Sequence, residues 1–245
     1  MSDKRPGEQS FNKAGKGIQA RLLIQGDGDA RNAFFKKFLL DVPDGGSINK
    51  SDILYPLYRE GGIVFPYTPT MISQSSSANY DQYAPTHSNF QYNRYTNSTM
   101  GSIEMTFKLT SLTQEEFRYT AACIHFLKAV TKMHYGNKEE SNFRGTPPPV
   151  LAFSYGGKQW WQDYPVVLSN VLVQANDEDP IVGFHGLAES DISKSDGDVH
   201  RNVKQSMMPI ITSITISLLP HYRPIDTRDE FSFKDFATGQ LIGRM

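Results

Sequence analysis

The chain has 245 residues, 38% hydrophobic and 12% aromatic, which suffices for one large domain with a real core and excludes disorder throughout. Its 25 Lys+Arg against 26 Asp+Glu leave a net charge of −1, so no global basic field draws it onto nucleic acid or an anionic membrane. The longest apolar run, 210–219, is far shorter than the roughly 18 residues of a bilayer span, and the single cysteine, Cys123, excludes an intrachain disulfide and a thiolate metal cluster.

Residues 1–50 carry nine basic and six acidic residues around one apolar patch, 33–40 (AFFKKFLL), and read as an N-terminal arm with a short helix or strand inside it. They contain no signal-peptide pattern, so neither export nor membrane anchoring is expected, and the one thiol fits a reducing compartment. A main domain over 51–220 follows. From Ile63 the texture turns aromatic and hydroxyl-rich, and Pro66, Pro69 and Pro85 forbid a continuous helix, so strand and long loop are predicted. Over 102–111, Ile103, Met105, Phe107 and Leu109 alternate strictly with Glu104, Thr106, Lys108 and Thr110, the period of a strand with one apolar and one polar face.

A helix is predicted over 114–134. Its start is marked by two possible capping boxes, Ser111/Gln114 and Thr113/Glu116, of which Thr113 is the better cap, and Gly136 is placed to end it. Arg118, His125, Lys128 and Lys132 form a narrow polar stripe. The remaining apolar arc is wider than one core contact needs, which predicts packing on the sheet along one side and on something else along another. Beyond GTPPP, 150–155 and 158–164 flank Gly156-Gly157 as a hairpin, and strands follow at 166–174 and 210–219. In the last strand Ile214, Ile216 and Leu218 share one face and Ser213, Thr215 and Ser217 the other. Residues 175–206, with seven acids and three bases, read as a long functional loop or hairpin, and 221–245 as a C-terminal arm. The fold class is therefore mainly β with one long helix, α+β.

Catalytic and ligand motifs are missing. Gly26 and Gly28 lack the Lys-Ser/Thr of a phosphate loop, and DISKSDGD (191–198) departs from a calcium loop at its sixth position, Asp196, and its twelfth, Asn202. The six histidines show no metal-ligand spacing, and Cys123 reads as a small core hydrophobe. No catalytic, cofactor or metal residue is expected, and the chain is not expected to be an enzyme. Trp160 and Trp161 with Tyr155 and Tyr164 form an aromatic cluster that would stack sugars in a carbohydrate-binding β-sandwich adhesion module; the plainer reading puts one face inward and the other at a subunit contact. A hydrolase assembled from Asp81, His87 and His185 rests on composition alone.

Four ordered blocks, FPYTPT (65–70), ANYDQYAPTHSN (78–89), the EEFRYTAACIHFLKAVTKM helix and GTPPP, resemble the tube-like baseplate proteins of contractile-tailed bacteriophages, including the tail tube initiators, over about 63–174. The resemblance implies the tail-tube fold, an antiparallel β sandwich or half barrel with a flanking helix, six copies of which close into a homohexameric ring around a DNA channel. It implies as partners the tail tube protein, the baseplate hub and neighbouring baseplate proteins, with DNA as transiting cargo, and a place in the virion tail after assembly in the host cytoplasm. Some relatives carry a peptidoglycan-binding-type module that touches the tape measure protein; no such repeat stands in this sequence. On this reading Glu104, Thr106, Lys108, Thr110, Ser213, Thr215 and Ser217 face the lumen. Phe65, Tyr67, Tyr119, Phe126, Met133, Trp160 and Trp161 are the candidates for subunit contacts.

Overall fold

The computed structural model describes residues 19–40, 48, 52–134, 145–157, 160–175, 180–185, 205–229 and 231–241. Its strands are β1 (Arg21–Ile24), β2 (Gly62–Val64), β3 (Met71–Tyr83), β4 (Tyr92–Thr110), β5 (Leu151–Tyr155), β6 (Trp161–Ala175), β7 (Ile181–His185), β8 (Gln205–Pro209) and β9 (Ile211–Pro220). Seven of them form one sheet in the order β2-β1-β5-β6-β9-β4-β3, and every described pairing in it is antiparallel. The helices are α1 (Gly28–Phe34), continued by a π-helical turn Phe35–Leu39, then α2 (Tyr55–Tyr58), α3 (Gln114–Ala129), α4 (Pro224–Asp229) and α5 (Phe233–Ala237). The molecule is thus mainly β, of α+β class, with α3 accompanied by shorter helical segments.

The sheet is rolled, and chain connectivity demands it. Its two outermost strands, β2 and β3, are consecutive in sequence, joined only by 65–70. Six gaps of about 4.8 Å would separate them by roughly 29 Å in a flat sheet, whereas six linking residues reach about 24 Å at full stretch. The Phe65 ring, one residue past β2, lies edge-on to Phe107 of β4 with centroids 4.3 Å apart, although five sheet positions separate those strands. β6 makes the corner: its Trp161–Val166 part pairs with β5, and the remainder pairs with β9. A bulge between Leu168 and Asn170 bends it there, and the Ser169 hydroxyl donates to the Ser217 carbonyl at 2.9 Å.

Inside the roll, Ile103, Met105, Phe107 and Leu109 of β4 meet Ile214, Ile216 and Leu218 of β9, all buried. Full burial of each stabilises the fold by roughly 1.5–3 kcal/mol. α3 covers this face with Phe117, Ala122, Cys123, Phe126 and Leu127. It starts on the predicted cap: the Glu116 amide donates to Thr113 Oγ1 at 3.2 Å, and the Thr113 amide donates to Glu116 Oε2 at 3.4 Å, closing the capping box.

Several expectations are corrected. The helix ends at Ala129, with Val130 as its cap, rather than near 134; Gly136 lies outside the described residues. Residues 19–40 are no free arm, because β1 sits between β2 and β5 with Leu22 and Ile24 buried, and Phe35 of the π turn stacks on Phe126 at 6.0 Å. That explains the width of the apolar arc on α3: its second side meets Phe35 of the π turn and the helix α2. Of 175–206, Ala175 ends β6, and 181–185 form β7, which pairs with β8 as a separate antiparallel hairpin; 176–179 and 186–204 lie outside the described residues, the DISKSDGD stretch among them. In the predicted 150–164 hairpin Gly156 and Gly157 both take positive φ, 74° and 75°, the left-handed geometry that only glycine adopts without strain.

Candidate functional site

The polar residues singled out on two separate strands come together on one surface. Antiparallel register sets Glu104 opposite Ser217, Thr106 opposite Thr215, and Lys108 opposite Ser213. The Thr106 and Thr215 hydroxyls are 3.0 Å apart and hydrogen-bonded across the ladder. On the far side of β9, Asn170, Leu172 and Gln174 of β6 stand opposite Ser217, Thr215 and Ser213, and on the far side of β4, Met71 and Ser73 of β3 stand opposite Thr106 and Glu104. The result is a face four strands wide, β6-β9-β4-β3, on the outside of the roll. Glu104 and Lys108 share this face and are both exposed, yet four residues along a strand separate them by roughly 13 Å, too far for the ion pair their spacing suggests. Thr110 ends the row, its hydroxyl 3.1 Å from the Tyr67 hydroxyl.

Both borders of this sector are open. β3 pairs with β4 along one side, and no other strand among the described residues lies along its outer side. β6 pairs with β5 only as far as Val166, so among the described residues 167–175 have a single strand partner, β9. Each border carries an exposed apolar side chain on the polar face, Met71 on β3 and Leu172 on β6, 52% and 46% exposed. They stand in one cross-strand row, Met71–Thr106–Thr215–Leu172. Sequence reasoning missed both, since their importance lies in the sheet order, which no local pattern reveals.

Beyond Ile103, β4 leaves β9 and continues with β3 alone as a two-stranded ribbon. Its two faces are both exposed, Asn79 donates to Asn97 Oδ1 at 2.9 Å, Tyr80 meets Tyr95 edge-on, and Tyr83, Phe90 and Tyr92 stand at the tip. An isolated two-stranded ribbon is marginal in water.

The subunit-contact candidates divide. Phe65 and Phe126 are wholly buried within the chain and are corrected to core residues. Tyr119 is an internal latch: its hydroxyl donates to the Val64 carbonyl at 2.5 Å and accepts from the Val64 amide at 3.2 Å, which ties α3 to the short edge strand β2. Burial holds that phenol well above its ordinary pKa, with nearby Cys123 adding to the effect. Trp161 turns inward, its indole N–H donating to Gln74 Oε1 at 3.1 Å, whereas Trp160 is exposed. Tyr67 and Met133 are exposed as well. Asp81 and His87 sit on the exposed ribbon, and the His185 side chain lies outside what is described, so they make no described cluster. Among the described residues no group of three or more His, Cys, Asp or Glu is arranged to hold a metal ion, and no helix is long and apolar enough to cross a membrane.

No protein-family model matches the chain, and no curated protein matches it in sequence.

Proposed function

We propose that the chain is a structural ring protein of a contractile-tail baseplate, of the tail tube initiator type, with the tail-tube fold completed by assembly. The observation that carries this reading is the four-stranded polar sector with two open borders. Because its strands alternate in direction and are even in number, β3 of one copy meets β6 of the next antiparallel, and the ladder continues around a ring without a parallel joint. Closure covers strand borders that otherwise template aggregation, and it sets the β6 border of one copy, which carries Leu172, against the β3 border of the next, which carries Met71. Six copies give a barrel of about 24 strands, well beyond the 16–18 at which barrels already hold an aqueous channel. Its wall presents Thr106, Thr215, Ser213 and Ser217, small hydroxyls that offer a passing DNA backbone no cationic anchor, with Lys108 matched by Glu104 in number on the same face.

In this role the ring joins the central hub to the tail tube and templates tube polymerisation, as scaffold rather than catalyst. An electron cryo-microscopy reconstruction of purified contractile tails tests it: six-fold density for this chain on the tube axis, between hub and tube, is the expected result. Density for the chain away from that axis, or its absence from the tail, overturns the assignment.

A further inference from the structure

We infer that the root of the β3–β4 ribbon is a clamped joint, and that Tyr222, at the start of the C-terminal segment, is the latch that sets it. This inference does not depend on the ring reading. The joint begins in the ladder. Gln74 pairs with Ile103 and Ser76 with Met100, so Ser75 alone opposes Gly101 and Ser102, a bulge on β4 where the ribbon departs from the sheet. Bulges bend the strand that carries them. Space favours Gly101 there: a Cβ on it would stand 2.2 Å from Ser75 Oγ, which would have to rotate away, and 3.1 Å from the Ser75 carbonyl, a tight contact.

Side chains from the far side of the roll grip both strands at this bulge. Trp161 of β6 holds Gln74 on β3 through its indole N–H. Tyr164 of β6, itself buried, donates its hydroxyl to Met100 Sδ of β4 at 2.8 Å. Tyr222 completes the grip from outside the sheet. Its hydroxyl is hydrogen-bonded to that of Tyr164 and lies 3.5 Å from Met100 Sδ, and its ring sits edge-on to the Tyr164 ring at 5.8 Å. Donation from Tyr222 to Tyr164 and from Tyr164 to Met100 uses both hydroxyl protons in one chain. The backbone holds Tyr222 in place, because the preceding His221 amide donates to the Pro165 carbonyl at 2.9 Å.

Past Tyr222 the segment offers a handle. α4 and α5 are short, and Ile225, Phe231, Phe233 and Phe236 are exposed. A pull or a contact on this segment therefore reaches the root of the ribbon through Tyr222. The ribbon, having no other neighbour in the described chain beyond its root, responds by changing its angle to the sheet.

Amide hydrogen exchange on the full chain, comparing wild type with Tyr222→Phe and Tyr222→Ala, tests the latch. Loss of the hydroxyl and then of the whole ring accelerates exchange at the root (74–77 and 99–102) and along the ribbon, by on the order of fivefold and then tenfold or more, while β9 amides keep their protection. Unchanged ribbon exchange in both variants overturns the inference. So does an equal acceleration in β9, which makes Tyr222 an ordinary prop of the core. Should the alanine variant fail to fold, Tyr222→Phe alone decides between these results.

Discussion

One strand of this molecule lives in two environments. From Ile103 to Leu109, β4 is paired with β9 throughout and with β3 as far as Thr106, alternates buried apolar with outward polar side chains, and forms the floor of the core. From Tyr92 to Met100 the same strand has β3 as its one strand partner among the described residues, and its side chains are all exposed. Continuity of the backbone therefore says little about where stability resides: it resides where a second strand and a helix cover the ladder.

Phe107→Ala strikes the covered half hardest. It removes a fully buried ring in contact with Phe65, and urea denaturation is expected to show a loss of about 3–5 kcal/mol. At β2, Tyr119→Phe leaves the Val64 amide and carbonyl without their shared partner, and the same assay is expected to register a loss of about 1–3 kcal/mol. Thr113→Ala removes the cap of α3 and is expected to cost about 1 kcal/mol, read as a lower melting temperature. Tyr95→Ala, in the uncovered half, is expected to change global stability by no more than about 0.5 kcal/mol, although it removes a ring contact. A loss for Tyr95→Ala as large as that for Phe107→Ala would abolish the contrast.

Alkaline pH sharpens the same contrast. Burial raises the Cys123 thiol and Tyr119 phenol pKa values above their ordinary ones, so the folded chain keeps protons that the unfolded chain gives up. Stability contributed by these groups is complete below the unfolded values, about 8.5 for a thiol and about 10 for a phenol, and is lost as pH rises beyond them. Denaturation at pH 8, 9 and 10 is expected to show falling stability, with the earliest part of the fall absent in Cys123→Ala.

The covered half was legible in sequence because burial imprints a period: the alternation of Ile103 to Leu109 and of Ile214 to Leu218, and the Thr113 cap with its wide apolar arc, each correspond to observed structure. β1 was not legible, since four residues between a polar leader and a Gly-Asp stretch are too few to establish a period. Nor was the roll, which follows from the six-residue link between opposite sheet borders rather than from any local motif. The polar rows of the outer face were visible strand by strand. Their apolar ends, Met71 and Leu172, were hidden, because Met71 opens a strand whose later residues are polar on both faces and Leu172 lies past a bulge that inverts the apparent facing of β6. Phe65 and Phe126, candidates for subunit contacts on the resemblance, owe their burial to residues 19–40 and to the roll.

Disulfide scanning across the open borders tests the ring most directly. In purified tails, Met71→Cys combined in turn with Asn170→Cys, Leu172→Cys and Gln174→Cys samples the registers in which β3 of one copy lies beside β6 of the next. Oxidation is expected to produce, for one pair, a ladder of covalent oligomers ending at six, with no ladder when either cysteine stands alone. Efficient capping of both cysteines by a thiol reagent without any intermolecular bond, in all three pairs, would contradict closure through these strands.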